Sequence, residues 1–379
     1  MKPGTPGFVG ERLREAREAR SISAIALAEQ LGISRAALSQ YETNQASPRP
    51  DVMRRIAEVL NVPPGFFLKP ARPDRPCKVF FRSRAAATKM AREKGRKRLH
   101  WLADIVIALC DHVRLPQLRF SSFEPPTDPK RLSMEEIEQK TKATRRYWEL
   151  GDGPISNIVW LLENAGAIVT RGEFHEDKMD SFSRWEPDDP APLVFLNADR
   201  ASAVRSRFDA AHELGHLLLH RGVPDEYWGP EISLRESQAS KFACAFLLPR
   251  AAFGDEVIVP SLDTFLALKP KWLVSIAAMI MRSEDIGLIS DDHVSHLWQN
   301  LGRRKWRTRE PLDDKIEPEI PRLLRRAFEV ISDHNPTIVE TVLTETQLSE
   351  IDVAQLAMLP SGFFELERDP KIIAFPRRY

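Results

Sequence analysis

Phe208-Asp-Ala-Ala-His-Glu-Leu-Gly-His-Leu-Leu-Leu-His220 is the stretch on which the reading of this chain turns. It contains no proline, and Phe208, Ala211, Leu214, Gly215 and Leu218 recur at helical spacing, so a helix closing at Arg221-Gly222 is predicted. His212 and His216 stand four residues apart on one face of that helix, where both imidazoles can reach a single Zn²⁺. Glu213 sits beside them and is the expected general base, taking a proton from the attacking water. A catalytic zinc needs a third protein ligand and an open position. His220, Asp225, Glu226, Glu231 and Glu236 are the candidates. At 1.5 Å rise per residue His220 lies about 12 Å from His212 along the axis, too far to share the ion from a straight helix. The metzincin spacing demands Gly and His where Leu219 and Gly222 stand, which excludes that class. Ser233–Leu248 reads as a second helix ended by Pro249, with Ala239, Phe242, Ala243 and Phe246 as its apolar face. Glu236 falls in its first turn, where a carboxylate is favoured, and its separation from His216 suits an antiparallel neighbour. Geometry therefore favours Glu236. No oxyanion stabiliser is legible; His220, His175 and Tyr227 are weak helpers more simply read as structural or solvent-facing.

Toward the amino terminus, residues 8–68 read as a run of short helices. Val9, Leu13, Ala16 and Ala19 mark the first; Ile25, Leu27, Ala28 and Leu31 the second, with Ser23 as its cap. Gly32-Ile33 makes a turn, Ser34 caps Arg35–Tyr41, and Val52, Ile56, Val59 and Leu60 mark a further helix. Two short helices joined by a glycine turn form a helix-turn-helix. Leu27-Ala-Glu-Gln-Leu-Gly-Ile-Ser-Arg-Ala-Ala-Leu-Ser-Gln-Tyr-Glu42, followed by Ser47-Pro48, resembles the Cro/phage-repressor (xenobiotic-response-element) helix-turn-helix family. The resemblance implies that Ser34, Arg35, Ala36, Ser39 and Gln40 face the major groove of double-stranded operator DNA, with Asn44 and nearby backbone holding phosphate. It also implies a homodimer on two half-sites. The chemistry agrees, because Arg and Gln suit guanine and adenine edges and a helix start offers N–H groups to phosphate. The family often opens its second helix with a phosphate-contacting Gln; the corresponding residue here is Ala24. The competing reading is a scaffold that contacts protein instead of DNA.

Between the two motifs, Pro63-Pro-Gly65 closes the first module and Lys69–Pro76 is a proline-punctuated linker. Ala85–Cys110 has helical character, basic at first and apolar later. Net charge is only +1, yet residues 1–100 carry +12 and the remainder −11, with +9 in Pro70–His100 alone. Such asymmetry points one end at a polyanion. The basic run either lies along DNA phosphates or forms the exposed face of a connecting helix.

The body of the chain carries a broader resemblance, over residues 150–305. Gly153-Pro-Ile155, Leu161–Ala167, Asp180-Ser-Phe-Ser183, Pro192–Asn197, Arg207–His216, Glu236–Pro249, Trp272–Ser275 and Gly287–Ser290 resemble the ImmA/IrrE metallopeptidase family in order and spacing. The resemblance implies a gluzincin-type zinc peptidase with His212, His216 and Glu236 as ligands and Glu213 as base. It also implies that Asp180–Ser183 and the following strand face an extended peptide substrate. Many relatives carry a second Glu where this chain has Gln238, and Gln is a poor partner for Zn²⁺, so the departure favours Glu236 as the ligand.

A chain of 379 residues that is 42% hydrophobic can bury two or three cores. Its apolar stretches fall short of the ~20 residues that span a bilayer, and no membrane partner is expected. Cys77, Cys110 and Cys244 are scattered, which suits neither a disulfide framework nor a cysteine zinc knuckle and points to a cytoplasmic protein. The expected fold is α+β, mainly α. Its expected divisions are a helix-turn-helix domain at 1–69, a basic linker with connecting helices at 70–149, a zincin-like metallopeptidase at 150–305 and a helical region at 306–379. In that last region Pro321–Ser332 and Gln347–Met358 have helical periodicity, and His334 stands alone. The expected function is a DNA-binding regulator with a zinc endopeptidase that cuts a repressor or other regulatory protein. The alternative is a non-proteolytic transcription factor whose metal- or ligand-binding domain controls DNA binding.

Overall fold

Serine hydroxyls set the first turns of many helices in this chain. Ser23, Ser34, Ser133, Ser202, Ser261, Ser275, Ser290 and Ser349 each accept a backbone N–H at a helix start, satisfying a donor the helix leaves unpaired. The computed structural model describes residues 4–72, 79–81, 88–120, 128–174, 181–187, 189–199, 202–223 and 231–368. In chain order these form α1 (Gly10–Ala19), α2 (Ala24–Leu31), α3 (Arg35–Glu42), α4 (Pro50–Leu60), β1 (Phe80–Phe81), α5 (Lys89–Cys110) and α6 (Met134–Tyr147). There follow α7 (Ile158–Asn164), β2 (Ile168–Gly172), β3 (Phe182–Arg184), β4 (Leu193–Asn197), α8 (Ala203–Leu219), α9 (Ile232–Leu247) and α10 (Arg250–Glu256). The remainder is α11 (Leu262–Trp272), α12 (Ile276–Asp285), α13 (Asp291–Arg303), α14 (Leu323–His334), α15 (Thr337–Thr346), α16 (Glu350–Leu356) and α17 (Phe363–Arg368). The fold is α+β and mainly α.

Two compact units divide the chain: 1–73 with 100–115 and 322–379, and 74–99 with 116–321. The first is built on the predicted helix-turn-helix. Gly32 at φ +62° ends α2, and Ser34 starts α3 two residues later. Leu13, Leu27, Leu31, Leu38, Ile56 and Leu60 fill the core of this unit. Trp101, from the apolar half of α5, is fully buried against Phe66, with ring centroids 5.8 Å apart. Its indole N–H donates to Glu15 at 2.9 Å, and Glu15 also accepts from Arg12 at 2.9 Å. Arg12 and Glu15 are both buried: the Arg12 guanidinium lies 3.8 Å over the Phe66 ring, and Glu15 is held by Arg12 and Trp101.

Helices beyond residue 322 belong to the same unit. The Arg20 guanidinium donates to both carboxylate oxygens of Asp352 at 2.6 and 2.5 Å, and to the carbonyls of Leu60 and Asn61. Lys69 donates to the Glu345 carbonyl. The helical periodicity after residue 321 is realised as α14 and α16, and α15 lies between them.

The second unit is centred on a four-stranded sheet in the order β1-β3-β4-β2. β2 and β4 pair in parallel, from Ile168↔Leu193 to Gly172↔Asn197; β3 is antiparallel to β4, and β1 to β3. β2 and β4 are buried except at their last residues; β4 is a near-continuous apolar run, whereas β2 buries Thr170 and Arg171 after Ile168 and Val169. α8 packs on β3 and β4, and α9 lies along α8 with α6 behind it. Gly215 makes the α8–α9 approach close: a Cβ there would stand 3.2 Å from backbone atoms of Ala239 and from Phe242 Cβ. The segment after α13 ties in through two glutamates. Glu310 accepts from Ile276 N and Ala277 N at 2.8 and 3.0 Å, and Glu319 accepts from Ile158 N and Val159 N at 2.9 and 3.0 Å. Each carboxylate caps a helix start, α12 and α7 respectively, where negative charge is stabilised.

The basic half of α5 contributes to this second unit. Arg92, Lys94, Arg96 and Arg98 are half-buried and Lys97 is buried; Lys94 donates to the Phe174 carbonyl at 3.0 Å, and Arg96 pairs with Glu93. The run from 92 to 98 is thus partly packed against its own unit and is not a fully solvated face. No single described helix is long and apolar enough to cross a membrane.

Candidate functional site

α8 presents His212 and His216 one turn apart, and α9 brings Glu236 against both. The two Nε2 atoms lie 3.0 Å apart. Glu236 reaches His212 Nε2 with one carboxylate oxygen at 3.2 Å and His216 Nε2 with the other at 3.3 Å. Both imidazoles are buried, whereas the Glu236 side chain is 22% exposed and forms the mouth of the cluster. Among the described residues this is the one group of metal-capable side chains with its donor atoms converged. The donor set fits a divalent cation. A tetrahedral ion with bonds of ~2.0–2.1 Å needs its ligand atoms about 3.3–3.4 Å apart, and two nitrogens with one carboxylate leave a fourth position open.

α8 is fixed from both ends. Arg207, buried, donates to the carbonyls of Ile155, Ser156 and Leu273 and pairs with Glu319; burial pushes its pKa down to about 10. On the other side the Ser183 hydroxyl of β3 donates to Glu213 Oε2 at 2.6 Å, in a buried setting. One and two turns before His212, Phe208 and Val204 line a cavity of about 190 Å³ whose walls also carry Arg205, Arg307, Glu310 and Asp313.

The other ligand candidates are placed as follows. His220 does not join the cluster. It stands behind His216, Nδ1 to Nδ1 at 3.0 Å, while its Nε2 meets Gln238 Oε1 at 3.0 Å. Complete burial holds the His220 pKa well below the ordinary imidazole value; His216 and Arg235 push the same way, against the Gln238 hydrogen bond. Glu231 pairs with Lys130 at 2.8 Å. Asp225, Glu226, Tyr227, His175 and Asp180 lie outside the described residues. His220 continues the helical row of His212 and His216, whereas Ser183 and Gln238 acquire their places through contacts between elements that no spacing rule marks.

β3 is also placed differently from the expectation that it faces a peptide. Its one side pairs with β4 and its other with the chain's own β1, Phe80 opposite Ser183 and Phe81 opposite Phe182. In the helix-turn-helix, Ser34, Arg35, Ala36, Ser39 and Gln40 are exposed together at the start and outer face of α3. Asn44 is engaged: its Oδ1 accepts from Gly10 N at 2.6 Å and its Nδ2 donates to Glu11 at 2.7 Å. Those bonds hold the start of α1 against the end of α3.

Comparison with known proteins places two domains on this geometry. A helix-turn-helix profile matches residues 13–67, and the profile of the IrrE N-terminal-like domain, a peptidase-family domain, matches residues 162–284. A protein of Methanocaldococcus jannaschii named as an HTH-type transcriptional regulatory protein is 50% identical over 54 residues, 14% of this chain and 17% of its own length. The HTH-type transcriptional regulator SutR of Escherichia coli is 40% identical over 63 residues, 17% of this chain and 35% of its own. The chain thus covers about a third or less of these relatives. It carries a helix-turn-helix regulator domain together with a peptidase-family domain.

Proposed function

We propose that this protein is a cytoplasmic DNA-binding transcriptional regulator whose second domain is a zinc-dependent endopeptidase of the gluzincin type, cutting a repressor or other regulatory protein. The observation that carries the reading is the convergence of His212 Nε2, His216 Nε2 and the Glu236 carboxylate, with contacts of 3.0–3.3 Å, and with Glu213 next in sequence and buried. In this reading residues 1–69 hold the DNA reader, 70–149 the connector, 150–305 the hydrolytic site and 306–379 a helical extension.

His212, His216 and Glu236 would hold Zn²⁺, which supplies a Lewis acid that polarises a scissile carbonyl and makes water a better nucleophile. Glu213 takes the proton of the attacking water and passes it to the leaving amine. The Ser183 hydroxyl holds Glu213 in position by its hydrogen bond. On DNA, Arg35, Ser39 and Gln40 with Ser34 and Ala36 meet base edges, and two copies of the chain reading two half-sites suit this class of module.

The test is the Glu213→Gln protein in its native cytosol. It is expected to keep about one zinc per chain, lose cleavage and retain the uncut target; unchanged proteolysis by this variant would sink the reading. Pairing of β1 on β3 supports a second reading, in which the metal domain cuts nothing and controls DNA binding. That reading predicts operator affinity that changes on zinc removal while no target is cut by the native chain.

A further inference from the structure

Hydrogen-bond polarity can be followed residue by residue from a loop to the metal cluster. The carbonyl oxygens of Pro129 and Leu132 only accept, and both receive Gln238 Nε2, at 2.8 and 3.3 Å. The Gln238 amide is thereby oriented with Oε1 toward His220, 3.0 Å from Nε2. An amide oxygen only accepts, so His220 Nε2 carries a proton and donates it. In a neutral imidazole the other nitrogen is then an acceptor. His220 Nδ1 lies 3.0 Å from His216 Nδ1, so the proton in that bond belongs to His216. His216 Nε2 is left with a lone pair, and this is the atom that meets His212 Nε2 and Glu236.

We propose that Gln238 and His220 are positioning residues forming a directional relay, which holds His216 as its Nδ1–H tautomer and aims its Nε2 lone pair at a divalent cation. The proposal rests on the reading of His216 as a metal ligand. It assigns a use to two residues outside the cluster, and to a glutamine in particular. The amide accepts from His220 on one side and donates to two carbonyls on the other, so a single group turns the fixed polarity of the backbone into the polarity of a ligand. Reversing the amide would set its NH₂ against the His220 N–H and its oxygen against two carbonyls, three unfavourable meetings in a buried site. Gln238, His220 and His216 are each at most 3% exposed, so water does not scramble the sequence of donors. Partners of this kind behind metal-binding imidazoles commonly carry 10- to 100-fold in metal affinity.

The experiment uses the full chain and two readouts. The first is the ¹⁵N signature of the His216 ring in metal-free protein, which distinguishes an Nδ1–H from an Nε2–H tautomer. The second is Zn²⁺ affinity by chelator competition. In the native chain His216 is expected to be Nδ1–H. Gln238→Leu, which removes the acceptor, is expected to mix the tautomers and weaken zinc about 10- to 100-fold. Gln238→Glu keeps an acceptor toward His220 while setting its second oxygen against the carbonyls of Pro129 and Leu132, and it is expected to lose stability yet keep the His216 tautomer. A purely structural role for residue 238 predicts equal damage to the tautomer in both variants, and that result overturns the relay. An Nε2–H His216 in the native chain overturns it as well. If the native chain binds no zinc, the metal reading falls on that measurement, and the tautomer signal still decides the relay.

Discussion

Ser183 reaches Glu213 from a strand thirty residues earlier in the chain and donates to it at 2.6 Å. A carboxylate held by a buried hydroxyl has one orientation; without it, Glu213 is anchored less firmly. Ser183→Ala is therefore expected to slow peptide hydrolysis about tenfold or more, since hydrogen bonds to charged groups contribute about 1.5–3 kcal/mol. Zinc content should be untouched. The check is a pairing of metal analysis with single-turnover cleavage, and a variant that cleaves at the native rate removes Ser183 from the site. His212, His216 and Glu236 were legible in the sequence because a helix repeats every 3.6 residues and a carboxylate suits a first turn. Ser183 and Gln238 were not, because their partners arrive through sheet register and helix packing, which spacing along one element does not encode.

At the scale of elements, two contacts carry consequences. The first joins α1 to α16: Arg20 and Asp352, 332 residues apart, form a two-toothed ion pair in which Asp352 is buried and Arg20 is 19% exposed. Removing one member of a buried pair leaves the other's charge uncompensated. Asp352→Ala is expected to cost about 2–3 kcal/mol, discounted for the exposure of Arg20, measured as the loss of amide-exchange protection in α1 and α16. Equal protection in both proteins would show that the pair contributes nothing. Periodicity placed helices over 321–332 and 347–358, close to α14 and α16, but could not find this pairing, since Arg20 reads as an ordinary charge near a helix end. The second contact is β1 on β3. A peptide that pairs with β3 on that side has to displace Phe80–Phe81, and proline gives no N–H to a ladder. The double variant Phe80→Pro, Phe81→Pro is expected to lower KM for a peptide substrate several-fold with kcat little changed. An unchanged KM means the peptide does not use that edge of β3.

At the scale of the whole molecule, the chain crosses from one compact unit to the other four times, so neither unit is a contiguous segment. The helix-turn-helix is recognisable in residues 13–67, yet the surroundings of its first helix are completed by Trp101 and by Asp352. A short sequence signature can thus mark a reader whose packing is supplied from far along the chain. Of the +12 in the first hundred residues, +9 lies in Pro70–His100 and the helix-turn-helix end itself is only mildly basic; phosphate neutralisation by such a module makes binding fall with salt. Stability and affinity then separate in one experiment. A chain ending at residue 321 keeps every exposed residue of α3 and the whole basic excess of the first hundred, but loses Asp352 and the carbonyl of Glu345 that receives Lys69. It is expected to bind operator DNA at least tenfold more weakly at a fixed salt concentration, because fewer molecules hold α3 in place. The slope of log affinity against log salt should stay the same, because the phosphate contacts themselves are intact. A changed slope would place phosphate contacts in the carboxy-terminal helices, and unaltered affinity would show that the helix-turn-helix stands without them.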